Sequence, residues 1–296
     1  NSLYDSKSCE RGIFNREASE KQVLKNCRRE GGHAWGTNPC SEIILRPKQF
    51  CNLSEIVVRA EDTEATLKRK AELAAILGTF QSTLTKFPYL RKVWIRNTEE
   101  ERLLGVSMTG IYDNVLTSTP GEQLNEMLDR LKLAAVEANK VLAEQIGIQQ
   151  SVAITCVKPS GTVSQLVDSA SGMHQRHSPY YIRRVRGDVK DPLSQFLIAQ
   201  GVPYEPCVMR PDSTVVFSFP KKAPEGVKTR DDVTAMEHLE LWLTYQRHWC
   251  EHKPSITISV LEEEWPEVGA WVWKYFDEIS GVSFLPMDGG SYRQAP

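Results

Sequence analysis

The chain has 296 residues, with 36 Lys and Arg against 38 Asp and Glu, a formal net charge of −2, and 41% hydrophobic and 25% charged residues. Such values belong to a packed globular chain, so disordered and fibrous classes drop out, and near-zero charge argues against a nucleic-acid partner held by a broad electrostatic grip. No run of 18 apolar residues is present and the opening residues NSLYDSKSCERG carry no apolar leader, which predicts a soluble chain with no membrane partner.

In chain order, 43–45 reads as a short strand and 63–86 as a helix with Leu67, Ala71, Ala74, Leu77 and Leu84 on one face. A second short strand follows at 105–109. Thr119 is a suitable cap, Pro120 suits a first turn and Glu122 lies three residues on, a capping box that predicts a helix running to a stop at Gly147. Its apolar residues Leu124, Met127, Leu131, Ala134, Ala138 and Leu142 recur at helical spacing. Beyond it, strands are expected at 151–157, 214–219, 255–260 and 282–285, and helices at 191–200, 230–251 and 262–278. Strands alternating with long helices predict an α/β layout built on a largely parallel sheet or barrel, whose ligands gather at the carboxyl ends of the strands.

Seven cysteines, at 9, 27, 40, 51, 156, 207 and 250, are an odd number scattered through a chain too long to need stapling. That pattern predicts a reducing compartment, the cytoplasm (a host's, for a virus-encoded chain), and makes any special cysteine reactive rather than structural. Cys40 stands in Thr37-Asn38-Pro39-Cys40-Ser41-Glu42-Ile43, where Asn-Pro favours an extended or turn geometry. Asn38, Cys40 and Glu42 are two apart, so an extended segment would send an amide, a thiol and a carboxylate to one side. Together these groups can orient a substrate, donate hydrogen or attack it, and act as general base. The same residues are also compatible with an inert turn around a buried cysteine or with a hydrolase pairing Cys40 with a histidine. A zinc site among Cys9, Cys27, His33, Cys40 and Cys51 lacks any CxxC or HxxxH pair, and no bound metal is expected.

The second segment is Lys158-Pro159-Ser160-Gly161-Thr162-Val163-Ser164-Gln165-Leu166, a hydroxyl-rich turn between an apolar strand and a helix start. Free N–H groups there, with Ser and Thr hydroxyls, form an anion cradle, although Ser and Thr are also ordinary helix caps. The GxxxxGK[ST] of a Walker loop is absent.

NPCSEI with Cys51-Asn52-Leu53 eleven residues after Cys40 resembles the active-site finger loop of ribonucleotide reductases, above all the adenosylcobalamin-dependent (class II) enzymes of the monomeric type. The 158–166 segment is similar to the family's substrate-phosphate loop. SGMHQRH at 171–177, YYIRRVR at 180–186, KPSITISV at 253–260 and GVSFLP at 281–286 also resemble that branch. The resemblance implies an α/β fold in which residues 1–296 are the second half of a ten-stranded α/β barrel, with a central finger loop at about 36–52. It further implies that Cys40 carries a thiyl radical that removes the ribose 3′ hydrogen, that Glu42 takes the 3′-hydroxyl proton and that Asn38 binds substrate hydroxyls. Cys51 would be one of the two thiols that reduce the 2′ carbon, and Ser160, Gly161, Thr162, Val163 and Ser164 would hold the phosphates of a ribonucleoside di- or triphosphate. The implied cofactor is adenosylcobalamin, for which His174 and Arg176 are candidate contacts, and the implied reductant is a thiol protein such as thioredoxin.

The first half of such a barrel, the partner of Cys51 and a C-terminal shuttling cysteine pair are not found in the sequence. A second polypeptide carrying the other half, or a longer parent chain, is therefore expected. Two other readings stand beside this one: an anaerobic reductase relative, and a degenerate nucleotide-binding half-barrel without activity.

Overall fold

The structure is a computed structural model that describes residues 12–287 and Gln294. Strand β1 (Gly12–Phe14) leads into helix α1 (Arg16–Leu24), and a small hairpin follows from β2 (Gly36–Thr37) and β3 (Ile44–Leu45). Next come β4 (Asn52–Val57), α2 (Glu64–Gln81), α3 (Lys92–Glu101), β5 (Leu104–Thr109), α4 (Val115–Ser118) and α5 (Glu122–Ile146). After α6 (Thr162–Leu166) the chain forms β6 (Tyr180–Asp188), α7 (Pro192–Ala199), β7 (Tyr204–Pro206) and β8 (Thr214–Lys222). It then forms α8 (Ala235–His248), β9 (Thr257–Val260), α9 (Trp265–Lys274) and β10 (Gly281–Pro286).

Parallel pairing organises the centre. β4 lies parallel to β5 and β9 parallel to β10, with β1 antiparallel on the far side of β10. Residues 153–157 connect the two pairs through parallel bridges, Val106 with Thr155 and Val157 with Pro254. Five parallel segments thus run in sequence order, each separated from the next by helix, as alternating elements require. The expected strand at 151–157 is reduced to single bridges. Its Ala153 and Ile154 carbonyls accept from the Leu104 and Val106 N–H groups and its Val157 carbonyl from the Ser255 N–H, while the Ile154 N–H donates to Glu251 Oε2 at 2.9 Å and the Thr155 carbonyl accepts from Glu251 and His252.

Helices cover this layer. Ile56, Val106, Met108, Ile154, Val157, Ile258 and Phe284 pack in one core with Leu67 and Ala71 of α2, Leu128 and Leu131 of α5, and Leu239 and Trp242 of α8. Burying each such side chain contributes about 1.5–3 kcal/mol.

Several expectations are corrected. α5 has no side-chain cap: it starts after Gly121, whose φ is +156°, while Thr119 closes α4 in an extended conformation, so the Thr119–Glu122 box does not form. Its stop at Gly147 (φ +68°) is as expected. α2 is capped by a Thr63–Thr66 box and ends at Gln81. Its buried stripe runs through Leu67, Ala71, Ala74, Ala75 and Gly78, which leaves Leu77 and Leu84 exposed. The strand at 214–219 forms, as part of β8, but in a separate antiparallel sheet of order β6-β8-β7 rather than in the central layer. Among the described residues no helix is long and apolar enough to cross a membrane.

Candidate active site

The tip of the β2–β3 hairpin is a tight turn. The Asn38 carbonyl accepts from the Ser41 N–H at 2.9 Å, the Asn38 Oδ1 accepts from the Ile43 N–H at 3.0 Å, and Ser41 sits at φ +66°. An extended segment with three side chains on one side is therefore not what forms. The positive φ at Ser41 turns the chain between the other two residues, so Cys40 is exposed whereas Glu42 is fully buried. Asn38, which the resemblance implies as a substrate contact, closes the turn through its Oδ1.

Residues 252–255 clamp this loop from the next parallel segment. His252 Nδ1 accepts from the Ile44 N–H at 3.4 Å and its Nε2 faces the Leu104 carbonyl at 3.0 Å, partners that assign the neutral Nε2–H tautomer. Burial, then the Arg29 charge, push His252 down to about 3. The Lys253 N–H donates to the Glu42 carbonyl, its ammonium to the Ser41 carbonyl and to Ser41 Oγ at 3.1 Å, and Ser255 Oγ to the Cys40 carbonyl. Lys253 is 1% exposed, and burial pulls it down to about 8 against the opposing pull of Glu42. The stem is held by a buried ion pair: Arg29 donates to Glu101 at 2.8 Å and to the Ile44 carbonyl at 2.9 Å.

Lys158, at the end of the 153–157 segment, reaches into the turn. Its Nζ donates to Glu42 Oε1 at 2.9 Å, while the buried Oε2 has no hydrogen-bond partner. Burial works against the Lys158 charge, but the hydrogen bond and charge of Glu42, and then those of Cys40, outweigh it and raise its pKa. A cavity of about 600 Å³ opens here, lined by Cys40, Leu53, Glu55, Ser107 and residues 158–163.

Of the expected phosphate contacts, Gly161, Thr162 and Val163 are exposed at the start of α6. Ser160 and Ser164 are buried and engaged within the loop. Ser160 Oγ donates to Glu55 Oε2 at 2.9 Å and accepts from the Ser164 N–H at 3.2 Å, and Ser164 Oγ donates to the Ser160 and Gly161 carbonyls. The two serines shape the turn, and Gly161, Thr162 and Val163 line the cavity beside them. Burial pushes the Glu55 carboxyl up, with Ser160 and Lys158 pulling the other way.

Cys51 is half-buried beneath the finger loop, packed with Ile43, Leu103, Val152, Ala153 and Cys156. Burial and the Glu42 charge push its thiol up. His174 and Arg176 are committed elsewhere. The His174 Nδ1 lies 3.0 Å from the Ser171 carbonyl and its Nε2 accepts from the Thr257 N–H at 3.1 Å. Arg176 makes a two-pronged bond to Asp113 at 2.8 and 3.0 Å and also reaches Asp168, all within the protein. Among the described residues no three His, Cys, Asp or Glu side chains converge as a metal site; Cys9 lies outside the described residues.

A parallel α/β layer with a cysteine-tipped loop over its centre is the architecture of ribonucleotide reductase catalytic chains. The chain superposes on a B12-dependent (class II) ribonucleotide reductase with a TM-score of 0.81 and 28% identity, over 97% of this chain and 44% of that one. The alpha subunit of a class Id ribonucleotide reductase from Actinobacillus ureae shares the fold, with a TM-score of 0.64 and 16% identity over 97% of this chain and 60% of that one. Among curated proteins, the chain is 31% identical to adenosylcobalamin-dependent ribonucleoside-triphosphate reductases of three organisms. The matches cover 88% of this chain and 38% of the Lactobacillus acidophilus protein, 97% and 42% for Lactobacillus gasseri, and 88% and 36% for Euglena gracilis. The chain is a homologue of part of these reductases and spans about two fifths of their length. No family model matches it.

Sequence reasoning named the two loops and missed what joins them. Lys158, Lys253, Ser255 and Glu55 were not singled out. Lys158 and Lys253 had one available signal, a lysine at the edge of an apolar segment, each followed by Pro-Ser.

Proposed function

We propose that the chain is the catalytic part of an adenosylcobalamin-dependent ribonucleotide reductase, reducing a ribonucleotide by radical chemistry at Cys40. The observation that carries this reading is a fully buried carboxylate, Glu42, with one oxygen fixed by Lys158 and the other unpartnered, two residues from an exposed thiol that lines a cavity. A buried carboxylate oxygen without a donor is costly, and a substrate hydroxyl satisfies it.

In this reading a ribonucleoside triphosphate, the substrate class in the relatives' names, rests its phosphates on the amides of 161–163. The ribose lies along the cavity towards Cys40. The Cys40 sulfur, as a radical, takes the 3′ hydrogen; Glu42 Oε2 accepts the 3′-hydroxyl proton; the 2′ hydroxyl, protonated by one of the two reducing thiols, leaves as water; the other thiol gives its hydrogen to C2′, and Glu42 returns its proton to the 3′ oxygen. Cys51 and a partner cysteine supply two electrons and close a disulfide, which a thiol reductant such as thioredoxin reopens. The hydrogen then returns from Cys40 to C3′.

Adenosylcobalamin supplies the radical to the Cys40 sulfur when bound. The exposed thiol fits that role, whereas His174 and Arg176, satisfied within the protein, do not fit as its contacts. The remaining half of the barrel, on a second polypeptide or elsewhere on a longer one, closes the open edge of β4, which pairs only with β5 among the described residues. A dry, closed site protects a radical from side reactions.

Cys40→Ser, assayed with the other barrel half and cofactor present, abolishes deoxynucleotide formation and leaves nucleotide binding within a few-fold of wild type. Unchanged turnover in that variant removes Cys40 from the chemistry. Loss of binding together with turnover makes the defect one of folding instead.

A further inference from the structure

The two loops that make the site belong to different elements, 116 residues apart in sequence, and one side chain ties them together. Lys158 is fixed at its backbone by Ser107, whose Oγ accepts from the Lys158 N–H at 2.8 Å. Its side chain, 28% exposed, passes along the cavity wall to Glu42 Oε1. The other ammonium nearby, Lys253, donates to Ser41 and makes no hydrogen bond to the Glu42 carboxylate. Glu42 therefore has Lys158 as its hydrogen-bond donor among the described residues, and the bond leaves Oε2 as the unpartnered oxygen.

We infer that Lys158 is a positioning residue of the site, pinning Glu42 through Oε1 so that Oε2 alone is presented to a substrate hydroxyl, and holding the finger loop against the phosphate loop. The inference rests on the reading of Glu42 as the base. A carboxylate torsion is broad and roughly two-fold, so without a fixed donor either oxygen faces either way. A buried ion pair with one member removed also leaves the other charge uncompensated. Lys158 and Cys40 line the same cavity.

A different role is available to a cavity lysine, that of gripping the substrate phosphates, and the two separate experimentally. Phosphate binding through Lys158 puts the cost of Lys158→Met in KM and in nucleotide affinity. Positioning puts it in kcat, with a loss of about 10–100-fold, the scale of a small misplacement of a reacting group. Lys158→Arg, which keeps the charge and the donors, recovers part of that loss. Because Lys158 acts through Glu42, the double variant Lys158→Met/Glu42→Gln is no slower than Glu42→Gln alone within a few-fold, whereas independent effects multiply.

A second measurement needs no turnover. In the full chain with its other barrel half, hydrogen exchange at the Ser41 and Ile43 amides accelerates several-fold in Lys158→Met and Lys158→Gln, and stays near wild type in Lys158→Arg. Unchanged exchange in both neutral variants, a KM effect without a kcat effect, or multiplicative losses in the double variant would overturn the inference. A wild-type protein that binds nucleotide and never reduces it sinks the proposed function instead, and the exchange result still decides the role of Lys158.

Discussion

Two ammonium groups meet the finger loop, and burial works against both charges, outweighed in one and not in the other. Lys158 keeps partial access to water and a full ion pair, and its charge is favoured. Lys253 is enclosed, donates to a neutral carbonyl and a hydroxyl, and is pulled down to about 8 from 10.5. Between pH 8 and 10.5 the unfolded chain holds the Lys253 proton and the folded chain releases it, so this residue adds stability as pH rises through that window. The size is about 3 kcal/mol across the window, at 1.36 kcal/mol per pKa unit. Cys51, Cys156 and Cys250, whose thiols burial pushes up, act in the opposite sense as pH passes their ordinary value of 9.0. Subtracting a Lys253→Met variant cancels them. Urea unfolding of both proteins shows the wild type gaining about 3 kcal/mol on the variant between pH 7.5 and 10.5; a difference independent of pH contradicts the burial of a charged lysine under Ser41.

Among the elements, β5 is the one the loop rests on. An added Cβ at Gly105 would run into Leu53 Cδ2 and meet Ile43 Cδ1 at 3.0 Å and Cys156 Sγ at 3.3 Å. Gly105→Ala therefore overpacks the floor of the finger loop and lowers stability by about 1–3 kcal/mol in denaturant unfolding; an unchanged midpoint shows that the hairpin does not sit on β5. Legibility from sequence follows the range of the interactions. The stop at Gly147 and the helix after Thr63 are local and were readable, and so were the cysteine loop and the hydroxyl-rich turn, whose residue types carry their chemistry within a few positions. The Thr119 box failed because the chain was still leaving α4 at that point. The turn at Ser41 and the Lys253–Ser41 and Lys158–Glu42 bonds were hidden because the lysines lie 212 and 116 residues from their partners. Ser160 and Ser164 had the right chemistry for phosphate, and only the fold shows their hydroxyls bonded to Glu55 and to the loop's own backbone.

For the molecule as a whole, five parallel segments in sequence order bring the finger loop, the 158–163 turn and the 252–255 clamp together at one place. Each comes from a different segment, so the site exists only in the assembled layer. β4 is open on one side among the described residues, with Leu53 and Phe50 exposed beside it. An uncapped edge strand next to apolar side chains needs cover, and under the proposed function the other barrel half supplies it. The central claim is spatial: one nucleotide touches both loops at once. The direct measurement is the crystal structure of the assembled protein with a ribonucleoside triphosphate. Phosphates on the amides of 161–163, with the ribose about 3–3.5 Å from the Cys40 sulfur and a hydroxyl on Glu42 Oε2, is the predicted result. A nucleotide seated on those amides with its ribose turned away from Cys40, or bound at another place altogether, contradicts it.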